Sequence, residues 1–269
     1  MEASVAAQII TFLNKTSGRD KLYRTCQYGS RLAWWCIQET KRDPILVKKL
    51  KGLDSHLSTS RKLLRIGKSV ELLRAAQKSV HLSDPFLQFT ITFANVNKAT
   101  YLLVDHLLWL HRVGLVTVDS RYYGHMSSRF WLATLILCLS RDIYSLVDVL
   151  TMLLSTDSSQ KTASESSPIT HQHSNGSVTQ TEATDGSARN SNRFRERSRL
   201  TFARIAVMLF RHHLALVLDT LKNLADLFLP LTYLGYINLP AGVQGLLGVI
   251  SSVIGVLTVW SSKFKLVPS

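Results

Sequence analysis

Residues Leu239 to Trp260 read LPAGVQGLLGVISSVIGVLTVW, and this stretch decides the class of fold. It holds no ionisable side chain and lies inside a longer uncharged run from Leu227 to Ser262. The hydrocarbon core of a bilayer takes about 20 apolar residues of helix, so 239–260 is read as a transmembrane helix. Trp260 suits the membrane interface, and Lys263 and Lys265 follow at once. Cations stay preferentially on the cytosolic side, so the C-terminus is expected there. Within the span, Gly248 and Ser252 stand four apart, as do Ser251 and Gly255. Small residues at that spacing let two helix backbones approach closely in lipid, so these four are the expected self-association residues.

The rest of the 269-residue chain is compatible with that anchor. Hydrophobic residues make up 46% and charged residues 19%, and the mean hydropathy of +0.09 is low for a polytopic transporter. One or two spans plus helices lying on the membrane fit these values. The net charge of +14 is concentrated. The block from Lys41 to Lys78 carries +8 and the block from Arg189 to Arg211 carries +6, which is the whole excess. Such faces meet anionic lipid or nucleic acid. Cys26, Cys36 and Cys138 are too few and too scattered for a disulfide framework, and each sits in an apolar helical setting as a small hydrophobe. Residues 1–14 have no basic start and no unbroken apolar core, so no secretory signal is expected there.

Helix punctuation is frequent and no segment alternates with period two, so the fold is read as all-α. A short apolar helix runs from Ser4 to Asn14. Ser17 with Asp20 resembles a capping box opening a helix to about Gln38. Asp43-Pro44 and Asp84-Pro85 each pair a cap with a first-turn proline. The second of these opens a helix that Gly114 should stop. A further helix is expected from about Arg129 to Leu154, and another from about Arg193 to Leu229, ending at Pro230. Residues 86–110, interrupted by Lys98, Asp105 and His106, are a candidate second span. Lys98 and Asp105 share a helix face, and intramembrane charges usually face a bundle interior in pairs. Residues 155–192 are rich in Ser and Thr and nearly free of large apolar side chains. They are read as a disordered linker between a helical membrane-associated region, 1–154, and a C-terminal helix and anchor, 193–269. The Asn175-Gly176-Ser177 sequon and the His171/His173 pair in this linker are read as chance patterns. Ser167-Pro168 is a candidate phosphorylation site.

The segment expected to act on the membrane is Ser58 to His81, STSRKLLRIGKSVELLRAAQKSVH. Leu63, Ile66, Val70, Leu73, Gln77 and Val80 recur at helical spacing and, Gln77 apart, form one aliphatic stripe. Arg61, Arg65 and Lys68 project opposite, and Lys62, Arg74 and Lys78 flank the stripe. This is the pattern of a helix lying in the membrane interface, with long basic side chains reaching to headgroups. Each cation near an anionic surface contributes about 1 kcal/mol. Shallow insertion into one leaflet expands it and favours positive curvature. A core helix or a calmodulin target would share the apolar spacing.

Chemistry-bearing motifs are missing. The chain has no Walker loop, GxSxG, HExxH, CxxC or dinucleotide fingerprint, so the reading is non-enzymatic, with no metal and no cofactor. His212-His213 lacks partners at ligand spacing. Asp20, Asp142, Asp219 and Asp226 lie beside basic residues or in caps, which suits structural ion pairs. Phe194, Phe202 and Phe210 in the second basic block match helix packing better than a base-stacking platform, and nucleic acid is not an expected partner.

Several strings in order resemble the peroxin-11 family, the peroxisomal membrane proteins of elongation and division. They are Phe12-Leu13-Asn14, Gly18-Arg19-Asp20-Lys21 with Arg24 and Gln27-Tyr28, and Ser60-Arg61-Lys62-Leu63-Leu64-Arg65-Ile66-Gly67-Lys68. His81-Leu82-Ser83-Asp84 follows, then Tyr101, Asp105 and Leu108-Trp109, then Leu139-Ser140-Arg141-Asp142-Ile143-Tyr144. The C-terminal half adds Leu218-Asp219-Thr220-Leu221-Lys222-Asn223, Asp226-Leu227-Phe228-Leu229-Pro230-Leu231 and Gly245-Leu246-Leu247-Gly248. The resemblance covers nearly the whole chain outside the linker. It implies a peroxisomal membrane protein with both termini cytosolic, homo-oligomerisation, and elongation of the membrane through the amphipathic helix. It further implies recruitment of a dynamin-like fission GTPase with tail-anchored adaptors, and insertion by the peroxin-19 import receptor. A solute-permeable channel is the alternative role, with Lys98, Asp105, Arg141 and Asp142 lining a path. The chain departs from the family in its longer polar linker, in Ser145 after the Arg-Asp-x-Tyr string, and in lacking a C-terminal dilysine signal.

Overall fold

The computed structural model of the chain describes residues 5–41, 43–165, 207–210 and 213–267. Among them there is no strand. The helices are α1 Val5–Asn14, α2 Thr16–Glu39, α3 Pro44–Leu64, α4 Lys68–Ser79, α5 Pro85–Val113, α6 Ser120–Glu165, α7 Leu214–Tyr233 and α8 Ala241–Trp260, with a 3-10 turn at Ser262–Phe264. The all-α expectation holds.

The chain falls into two compact units. One comprises Met1–Ile143 with Leu218–Ser269, the other Tyr144–Val217. The second unit includes the later part of α6, where Val147, Leu150, Met152 and Leu154 are exposed. In the first unit α2 packs along both α3 and α8, and α4 packs on α5. Its apolar core is modest. It includes Ile91, Ala94, Ala99 and Leu102 of α5, Leu135 of α6, Ala225 and Leu229 of α7, and Ile254 of α8.

Local chemistry explains most boundaries. Asp43 accepts hydrogen bonds from the amides of Ile45 and Leu46, and Asp84 from those of Phe86 and Leu87, so both aspartate–proline starts are real caps. Gly114 ends α5 at φ +86°, where a side chain would strain the backbone.

Four boundaries differ from expectation. α2 begins at Thr16, and Lys15 at its N-cap makes no side-chain capping bond, so Ser17 and Asp20 are not a capping box. α6 begins nine residues earlier than Arg129, where Asp119 accepts from the amides of Arg121 and Tyr122. It also continues to Glu165, into the Ser/Thr-rich stretch. The rest of that stretch, with Ser167, His171, His173 and the Asn175 sequon, lies outside the described residues, as does the expected helix start at Arg193. α7 passes through Pro230 rather than stopping there. The ring is fully buried, which offsets the one backbone bond it removes. The helix ends instead at Tyr233, closed by Gly235 at φ +81° with the Tyr236 amide bonded back to the Leu231 carbonyl.

Candidate membrane-active surface

The expected amphipathic helix 58–81 is broken. α3 closes at Leu64, Arg65 caps it, and Gly67 stands at φ +80° before α4 opens at Lys68. A left-handed residue is cheap only for glycine, so Gly67 is the sequence signal for this hinge. The aliphatic stripe survives the break. Leu63, Ile66, Val70, Leu73 and Val80 are all exposed, between 45% and 58%. A neighbouring face of α4, with Ser69, Ala76 and Ser79, is buried where α4 packs on α5, and the Ser79 and Thr92 hydroxyls are hydrogen-bonded at 2.8 Å. An exposed aliphatic row of this kind has an apolar phase as its natural counterpart.

The basic residues divide into two groups, which corrects the expectation of one free cationic face. Arg61 is buried, donating to Asp20 at 3.1 Å and to Gln27 at 2.7 Å. Arg65 donates to Asp105 at 2.9 Å and to the Tyr101 hydroxyl at 3.1 Å. Lys62 reaches the other oxygen of Asp105 at 2.8 Å. These three are held by carboxylates from α2 and α5, because a cation leaving water inside the fold needs a counter-charge. Burial works against ionisation of Asp20, but Arg61 and Arg65 beside it outweigh that and hold its carboxyl below the usual range. Arg74 and Lys78 are exposed and Lys68 half-buried, and none of the three makes an ion pair among the described residues.

The small residues of α8 are also engaged within the chain. Gly245, Gly248, Ser251, Ser252 and Gly255 are buried. A Cβ on Gly248 would meet the Tyr28 ring at 2.2 Å, one on Gly245 the Leu32 backbone nitrogen at 2.8 Å, and one on Gly255 the Lys21 side chain at 3.0 Å. The stripe expected to join two copies is therefore filled by α2 of the same chain. The opposite face of α8, with Val243, Leu246, Ile250, Val253 and Leu257, is exposed and apolar.

All four aspartates marked for ion pairs make them. Asp20 takes Arg61, Asp226 takes Arg24, and Arg141 bridges Asp142 and Asp219. Asn223 donates to Asp142 at 2.8 Å. Asp105, Arg141 and Asp142 are thus spent in pairs, whereas Lys98 is exposed. Sequence reasoning missed Arg24 and Arg31, the latter bound to Asp54 at 2.9 Å. No local signal separates them from the exposed Arg19 of the same helix. Cys26 and Cys36 are exposed free thiols and not core hydrophobes, and Cys138 is half-buried.

Among the described residues, then, several charges turn inward in pairs, as at Arg24–Asp226 and Arg141–Asp142, while aliphatic rows on α4 and α8 are exposed. Two helices among the described residues are long and apolar enough to cross a bilayer. The family model of peroxisomal biogenesis factor 11 (PEX11) matches residues 6–260. The chain belongs to the PEX11 family. Human peroxisomal membrane protein 11B is 33% identical over 260 residues, 96% of this chain and 98% of the relative. Human peroxisomal membrane protein 11A is 29% identical, covering 95% and 96%. An Arabidopsis thaliana PEX11 relative, peroxisomal membrane protein 11B, is 31% identical over 127 residues, 47% of this chain and 54% of its own length. No solved structure matches. The PEX11 resemblance expected from the residue strings is thereby shown, and the names of these relatives describe peroxisomal membrane proteins.

Proposed function

We propose that this chain is a non-enzymatic protein of the peroxisomal membrane that elongates the membrane ahead of division. The single observation that carries the reading is the exposed row Leu63, Ile66, Val70, Leu73 and Val80, bordered by Arg74 and Lys78 and held outward by the packing of α4 on α5. Burying that row in one leaflet removes it from water at about 25 cal/mol per Å². The free cations add attraction to anionic headgroups. Family membership and the relatives' names support the peroxisome as the compartment.

The same reading carries the remaining expectations. Both termini face the cytosol, the chain self-associates, and the elongated membrane recruits a dynamin-like fission GTPase through tail-anchored adaptors. The peroxin-19 import receptor delivers the chain. With α2 seated on Gly245 and Gly248, self-association through that stripe requires α2 to move away.

The test uses purified full-length protein and liposomes containing anionic phospholipid. The wild type should tubulate them. Ile66→Glu with Val70→Glu should reconstitute equally, because both positions are exposed, yet fail to tubulate. Equal tubulation by the double variant would overturn the role of this surface.

A further inference from the structure

We propose that α6, in addition to α8, is embedded in the hydrocarbon of the membrane, and that it carries Arg141 there as an ion pair supplied by α7. The inference rests on the reading of the chain as a membrane protein and adds a second lipid-facing helix to it.

Residues 130–154 of α6 contain three charged side chains, Arg141, Asp142 and Asp148. Arg141 and Asp142 lie near the middle of the stretch, where an unpaired charge in lipid is most costly. Neither is presented outward. Arg141 is 5% exposed and Asp142 fully buried. Arg141 bonds to Asp142 and to Asp219 of α7, and Asn223 of α7 satisfies the remaining Asp142 oxygen. Ser127 and Thr134 are buried with them. The outward positions beside the pair are apolar or aromatic, with Ile136 at 52% exposure, Ile143 at 58% and Tyr144 at 41%.

A core helix of a soluble protein would show the reverse, with aliphatic residues inward and charges in water. It would also be largely covered. Only 22% of the most apolar stretch of α6 is buried within the chain, less than the 39% for α8. The limits of the apolar stretch fit a bilayer too. Its 25 residues reach about 37 Å at 1.5 Å per residue, enough for a core of about 30 Å. Arg129 and Trp131 stand at one end, side chains that suit an interface. Asp148, which is exposed, lies fewer than two turns from the other end. The occupant of the outer face is therefore lipid acyl chain.

The experiment places single cysteines in the full chain with Cys26→Ser, Cys36→Ser and Cys138→Ala. Ile136→Cys and Ile143→Cys report on α6, Ile250→Cys on the outer face of α8, and Val116→Cys on the aqueous loop between α5 and α6. Membranes are made permeable to small molecules without being dissolved and treated with a water-soluble maleimide. Protein reconstituted with a phospholipid bearing a photoactivatable acyl chain is illuminated in parallel. The expected result is labelling at 116, at least tenfold slower labelling at 136, 143 and 250, and a lipid adduct on the peptide carrying residues 136–143. Labelling at 136 and 143 as fast as at 116, with 250 protected, overturns the inference while leaving α8 as the anchor. Protection without a lipid adduct also overturns it, because the face is then covered by protein. Fast labelling at all four positions overturns both this inference and the membrane reading of α8.

Discussion

Arg24 and Asp226 stand 202 residues apart in sequence and face each other in a two-pronged ion pair joining α2 to α7, with each side chain 7% exposed. The second prong, Nη1 to Oδ2, spans 3.1 Å. Burial alone would favour neutral forms of both groups, but each holds the other charged. The Arg24 guanidinium keeps Asp226 below the usual carboxylate range, and Asp226 pushes Arg24 further up. A pair of this kind sets which helices meet more than it adds net stability.

Removing one partner strands the other. Arg24→Met should destabilise the purified protein by about 3–5 kcal/mol, and so should Asp226→Leu. Arg24→Met with Asp226→Leu should recover much of that loss. Thermal unfolding of the three variants in detergent checks it, and a double variant as unstable as the sum of the singles would refute the pairing.

The division of the basic residues gives a second expectation. Arg61→Ala should lower the melting temperature by several degrees, since it leaves Asp20 and Gln27 without their donor. Arg74→Ala with Lys78→Ala should leave the melting temperature unchanged and weaken co-flotation with anionic vesicles several-fold, with a shallower dependence on salt. Unchanged flotation in the second variant would mean that these cations do not meet headgroups.

The glycines of α8 give a third. Gly245→Ala puts a methyl within 2.8 Å of the Leu32 backbone, which has no freedom to yield, so a loss of about 1–3 kcal/mol is expected. Gly52→Ala, with nothing within 4 Å in α3, should be neutral or slightly stabilising. Equal melting temperatures for the two would argue against α2 seated on α8.

Local signals were legible in the sequence and long-range ones were not. Asp43, Asp84 and Gly114 act through bonds to residues one to four positions away, so their roles follow from spacing. The uncharged run that became α8 is likewise a property of adjacent residues. Pro230 was misread because its tolerance depends on burial, which neighbours in sequence do not reveal. Gly248 is small in the sequence, but that the Tyr28 ring lies against it is a property of the distant α2, which adjacent residues do not reveal. Arg61 and Arg65 obey the spacing of a basic face. Only the distant Asp20 and Asp105 show that they turn inward.

Acid should loosen the α2–α3 contact in a defined window. Asp20 has a folded-state pKa below its unfolded value. Its contribution is therefore complete above the ordinary carboxylate range, near 4, and is lost as pH falls through the depressed folded value. Thermal stability from pH 7 to 5 should show no loss from this group, with a decline below about pH 4. Asp20→Asn should be less stable at neutral pH and should flatten that part of the decline. A variant with the same acid limb as wild type would exclude Asp20 as its source.

The hinge at Gly67 predicts opposite effects in two settings. In the folded chain this residue stands at φ +80° with nothing within 4 Å of a would-be Cβ, so the cost of Gly67→Ala is the backbone conformation alone, about 1–2 kcal/mol. Off the fold, a peptide of residues 58–81 has no reason to keep the break. At a membrane surface the hydrophobic stripe from Leu63 to Val80 is best buried along one continuous helix, and alanine favours that helix over glycine by about 1 kcal/mol. Gly67→Ala should therefore lower the melting temperature of the full protein while raising the helicity and vesicle affinity of the peptide up to about fivefold. Circular dichroism of the peptide with anionic vesicles, beside thermal unfolding of the protein, reads both. Should the variant weaken the peptide as well, the segment binds membranes in its bent form, and α3 and α4 act there as two helices.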